Sequence, residues 1–143
     1  MFVINDDNSI YVNRGDALVV GVELEAINGI PQSFQPGDVV RMKVYGKKNP
    51  SHVVFQKDVR VVGKEFTNEE EEAEYYKSVS IYISSEETKF DGLISKPKDY
   101  WYEVELNPEG DTTQTIIGFD EDGAKVFKIF PEGADITKEG EDE

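Results

Sequence analysis

Apolar and polar residues alternate with a period of two along most of this chain, the signature of strands with one face buried. In ALVVGVELEAI (17–27), Leu18, Val20, Val22, Leu24 and Ala26 fall on one face, and Glu23 and Glu25 on the other. DVVRMKVYG (38–46) sets Val40, Met42 and Val44 against Arg41 and Lys43, and KSVSIYIS (77–84) sets Val79, Ile81 and Ile83 against Ser80, Tyr82 and Ser84. DYWYEVEL (99–106) places Tyr100, Tyr102, Val104 and Leu106 opposite Trp101, Glu103 and Glu105. SIYV, HVVFQKDVRVV (52–62), TTQTIIGF (112–119) and AKVFKIF (124–130) complete a set of seven to eight strands.

The runs are punctuated by turn chemistry. NGIP (28–31), QPGD (35–38), KKNP (47–50), NPEGD (107–111) and DEDG (120–123) supply Gly, Pro, Asn and Asp where the chain must reverse. DEDG predicts a hairpin in which Gly123 takes a positive φ. Helix is expected to be minor, at most one short turn in SEETKFDGL (85–93) with Ser84 or Ser85 as its cap. NEEEEAEYYK has helix propensity but almost no apolar stripe, and is expected to form a loop or frayed turn. Strands spaced in this way, with one apolar face each, predict an all-β antiparallel sandwich. No internal repeat or linker divides the chain, so residues 1–135 are expected to form one domain and 136–143 an acidic, flexible tail.

Charge narrows the partners. The 143 residues carry a formal net charge of −15. Residues 64–77 contribute −4 and residues 132–143 contribute −5, so the remaining 117 residues, with the other −6, are only mildly acidic. Such a surface repels nucleic acid and anionic membrane, and neither is expected as a partner. No apolar run approaches the ~20 residues that span a bilayer, and the N-terminus lacks the pattern of a signal peptide. Synthesis in the cytoplasm is expected.

Catalytic candidates are scarce. The chain has no cysteine and a single histidine, His52, beside Pro50 and Ser51 at the start of a strand, where a surface position is expected. Asp120 and Asp122 share the spacing that opens a calcium loop, but the later ligands and the closing Glu are missing. Asp6 and Asp7 are equally uninformative. No catalytic residue, metal or cofactor is assigned, and an enzyme is not expected. Among aromatics, Tyr82, Tyr100 and Trp101 are candidates for an interface or a stacking platform, although a Trp or Tyr at 100–102 also suits a core plug.

Arg14-Gly15-Asp16 spells a receptor-binding tripeptide, yet it sits between two strand patterns with only Asn13 to Asp16 free to turn. A structural turn accounts for all three residues: Gly15 in a left-handed conformation, Asp16 accepting backbone hydrogen bonds, and Arg14 on the rim.

The same stretch carries a resemblance. SIYVNRGDALVVGVEL followed by NGIPQSFQPGDVVRMKVY resembles the N-terminal domain of the baseplate upper protein family of phages of Gram-positive bacteria. The matching residues are Arg14, Gly15, Asp16, Ala17 and Leu18, then Asn28, Gly29, Ile30 and Pro31, then Val40, Met42 and Val44. YWYEVEL is similar to a later strand of that family, and TQTIIGFDEDGAKVFKIFPEG to the closing hairpin of phage-encoded relatives, so the resemblance covers residues 8–133. It implies an immunoglobulin-like β-sandwich that serves as a structural part of a phage or prophage tail or baseplate. Such a protein would reside in the virion, assemble with itself or with other tail and baseplate subunits, and perform no catalysis. That family continues into a helical receptor-adaptor region, whereas this chain ends in EGADITKEGEDE, which suggests an accessory or hub module. A carbohydrate-binding or adhesion module built on Trp101 or Tyr82 is the alternative.

Overall fold

A computed structural model describes residues 1–48, 51–90, 92–111, 113–118 and 123–136. The chain is mostly β and its sheets are mostly antiparallel. The strands are β1 (Phe2–Ile4), β2 (Ile10–Asn13), β3 (Leu18–Glu23), β4 (Val39–Gly46), β5 (Val53–Arg60), β6 (Ser78–Ile83), β7 (Lys98–Leu106), β8 (Gln114–Ile117) and β9 (Lys125–Phe130). Among the described residues, one helix, α1 (Glu69–Lys77), and one 3-10 turn, Glu87–Lys89, interrupt them.

Among the described residues, the larger sheet runs β1-β2-β9-β7-β4-β5 and the smaller consists of β3 and β6. All neighbours are antiparallel except β2 and β9, which run parallel. β7 is the pivot. Its first half, Lys98 to Tyr102, pairs with β9, while Val104 to Leu106 pair with β8 along the second half.

Alternation decides which residues the two sheets share. Leu18, Val20 and Val22 of β3 and Val79, Ile81 and Ile83 of β6 are buried, and their neighbours along each strand are exposed. From the larger sheet, Ile10, Val12, Val40, Met42, Val44, Tyr102, Val104 and Phe127 enter the same core. Tyr100 and Tyr102 fill it as plugs. Tyr100 meets Phe90 at 5.4 Å between ring centres, and Tyr102 meets Phe127 at 6.2 Å. The Tyr102 hydroxyl donates to the Asn8 carbonyl, which satisfies a group that would otherwise be costly to bury.

Four expectations change. The acidic segment 69–77 is a helix and not a loop, and helical content exceeds a single short turn. Asn68 caps the helix, its Oδ1 accepting from Glu71 N at 2.7 Å, and Glu69 to Glu72 lie at the favourable end of the helix dipole. What the apolar pattern lacks, two tyrosines at the far end supply. Tyr76 is buried, its carbonyl accepts from Phe34 N at 2.9 Å, and the Tyr75 hydroxyl donates to the Val62 carbonyl at 2.8 Å. Second, the ladder of β3 stops at Glu23, although the alternating pattern runs on to Ile27; Ala26 is exposed. Third, β1 adds a strand that the pattern did not mark. Fourth, Ile136, at the head of the segment read as a tail, is only 1% exposed.

Several turns follow the expected chemistry. Asn28 (φ 52°) and Gly29 (φ 79°) make a two-residue reversal closed by reciprocal hydrogen bonds between Ile27 and Ile30. Ser84 and Glu87 exchange side-chain-to-backbone bonds of 3.0 and 3.2 Å just ahead of the 3-10 turn, but the cap position of Glu87–Lys89 is Glu86, which makes no side-chain cap bond, so neither Ser84 nor Ser85 occupies it. Gly123 has φ 98°, as expected of the DEDG hairpin, while Asp120 to Asp122 lie outside the described residues, as does the second half of KKNP.

Candidate interaction site

The RGD turn carries the chain from one sheet to the other. β2 lies in the larger sheet and β3 in the smaller, so Arg14 to Asp16 bridge the two layers and do not close a hairpin. Gly15 takes φ 89°, and its N–H donates to Thr88 Oγ1 at 2.9 Å. The Asp16 N–H donates to the Asn13 carbonyl at 3.0 Å, and its carboxylate pairs with the Met1 amino group. Arg14 is not on the rim. Its side chain is 13% exposed and pairs with Glu132 at 2.6 Å. Beneath it, the buried Asn13 donates its side-chain amide to the carbonyls of Pro131 and Ala134 at 3.1 and 2.8 Å. Arg14, Gly15 and Asp16 each make at least one polar contact with the rest of the fold. Asn13, Thr88 and Glu132, which clamp the turn, lie far apart in sequence, and no local pattern marks them as a group.

The aromatic candidates separate. Tyr100 is buried at 3% exposure and is no surface platform. Tyr82 is 56% exposed beside Val19, its cross-strand partner, on the outer face of the smaller sheet. Trp101 is half-buried on the outer face of the larger sheet, opposite Tyr45 on β4 and with Lys47 Nζ 5.8 Å from its ring centre. Tyr82 and Trp101 therefore occupy opposite outer faces.

The rest of the larger sheet's outer face is a ladder of charge. Arg41 grips Asp58 with two bonds of 2.8 and 2.9 Å and reaches Glu109 at 3.3 Å, and Lys43 lies 3.2 Å from both Glu103 and Glu105. The Asp58 carboxyl is held below its ordinary value, first by the Arg41 hydrogen bonds. Burial pulls the Lys43 ammonium down, but bonds to Glu105 and Glu103 outweigh it and the net shift is upward. Glu87 is also held low, by the Ser84 N–H and then by Lys57, whose Nζ lies 3.0 Å from both of its oxygens. Each of these shifts has a structural ion pair or cap as its cause. His52 is exposed, and among the described residues no three acidic or histidine side chains gather to hold a metal.

A cleft of about 620 Å³ lies beside β8. It brings together Gln114 to Gly118, Leu24 to Ile27 and Ser33, with Leu106 of β7 at its base. Polar contributors are Asn8, Gln32, Gln35 and Lys125, and carboxylates come from Glu25 and Asp38. Asp38 is held in place by the Gln35 N–H at 2.8 Å and the Asn107 amide at 3.1 Å. Among the described residues, no aromatic side chain lines the cleft. The arrangement offers hydrogen-bonding groups and apolar surface, which suits binding better than proton transfer.

No family model and no curated protein matches this sequence.

Proposed function

We propose that this chain is a non-enzymatic, immunoglobulin-like structural module of a phage or prophage tail or baseplate, which works by assembling with other virion subunits. The observation that carries the reading is the strand arrangement around the RGD turn. An N-terminal strand runs parallel to the last strand, the order β2-β9-β7-β4-β5 faces β3 and β6, and RGDAL makes the crossing between them. That order supports the immunoglobulin-like class. The residues that resemble the baseplate upper protein family stand at its joints. Arg14 to Leu18 form the crossing, Asn28 and Gly29 the two-residue reversal, and Tyr100 to Leu106 the central strand. A module of this kind acts through strand edges and loops, and its acidic surface keeps the free subunit soluble before assembly.

The carbohydrate-platform alternative is less well supported, because Tyr82 and Trp101 do not share a face.

The test is structural proteomics followed by cryo-microscopy of particles induced from a host that encodes the chain. The chain should be present at a fixed copy number, with β-sandwich density at the tail tip or baseplate. Particles that lack it while retaining full infectivity would reject the reading.

A further inference from the structure

We propose that the cleft beside β8 is a strand-acceptor site, which takes an extended segment of a partner subunit by backbone pairing. The segment would have alternating apolar side chains and net positive charge.

Two stretches of the chain have strand-like sequence without a full ladder, and both line this cleft. Leu24 to Ile27 continue the alternation of β3, but pairing with β6 ends at Glu23, and their described backbone bonding is the single bridge from Ile27 to Ile30. β8 pairs with β7 along one edge, and among the described residues no strand pairs with its other edge. β2, which covers β9 from Ile10 to Asn13, does not extend to β8. Among the described residues no strand occupies the position next to β8, and one element from each sheet contributes a wall. Unpaired edge groups are templates for another chain.

The dimensions and chemistry agree. The four residues of β8 offer about 13 Å of edge. A volume of about 620 Å³ accommodates a short extended segment. Leu24, Leu106 and Ile117 give apolar contact for alternate side chains, and Gln32, Gln35 and Gln114 can bond to main chain whatever its sequence. Glu25 is exposed and makes no ion pair among the described residues, and with Asp38 and the net charge of −15 it favours a cationic segment despite Lys125. The identity of the segment as part of a virion subunit rests on the function proposed above; the acceptor geometry does not.

The experiment pans a displayed random octapeptide library against the full chain and measures enriched peptides by fluorescence anisotropy and amide NMR. Enriched sequences should alternate apolar with polar residues and carry Lys or Arg. They should shift, and protect from exchange, amides in 24–26 and 115–117. Glu25→Lys should weaken binding about threefold, the range of one exposed ion pair. Ala26→Trp, at an exposed position, should abolish it by filling the cleft while the β-rich circular dichroism persists. The proposal falls if no peptide binds more tightly than about 1 mM, if shifts map elsewhere, if Ala26→Trp binds normally, or if maltoheptaose and not peptide shifts these amides. Virions without the chain would overturn the function but leave peptide binding intact.

Discussion

Gly15→Ala tests the use of the RGD turn directly. At φ 89° the backbone lies where a Cβ is strained, and the added atom would stand 3.3 Å from Lys89 Cε and 3.7 Å from Glu132 Cδ. The lysine tip can move aside, so the backbone dominates. A Cβ in left-handed conformation costs about 1–2 kcal/mol, whereas alanine stiffens the unfolded chain and returns about 0.4–1 kcal/mol. The net expectation is a loss of about 1 kcal/mol, more if the Gly15 N–H to Thr88 bond lengthens. With a urea m-value of about 2 kcal/mol/M, the midpoint should fall by about 0.5 M. Gly21→Ala is the control: its Cβ would meet nothing within 4 Å and its φ is not positive, so the midpoint should hold or rise slightly. A Gly15→Ala midpoint equal to wild type would refute the strained-turn account. A flexible receptor loop would give that result.

Three further outcomes follow from packing and charge. Ile136→Ala, at a fully buried side chain, should cost about 2–4 kcal/mol in urea unfolding, whereas a solvated tail would give no change. Asn68→Ala removes the cap of α1 and should cost about 1 kcal/mol, with faster amide exchange confined to 69–77. Glu87 has a folded value depressed below its ordinary 4.5, so its stabilisation is present at neutral pH and is withdrawn as pH falls through and below that value. Glu87→Gln should therefore be less stable than wild type at pH 7, with the gap closing toward pH 3 in paired melts. A gap that widens on acidification would reverse the sign of this linkage.

Period-two alternation was enough to mark β2 to β9, the inward residues of β3, β4, β6 and β7, and the turn at Gly15, because these depend on neighbours within a few positions. The sequence by itself also carried the acidity of the chain and the scarcity of catalytic groups. Tertiary structure decided the rest. Local pattern does not mark α1, because the helix is held by Asn68 and two tyrosines, whose partners Phe34 and Val62 are set by the fold. The inward position of Arg14 is not legible locally, because its partner, Glu132, is distant in sequence. Ile136 looks like tail in the sequence because a lone apolar residue among acids has no period to betray its burial. The cleft was invisible for the same reason. It arises where two ladders stop short, and where a ladder stops is settled by which strands meet across the sandwich, a long-range matter that local alternation does not encode.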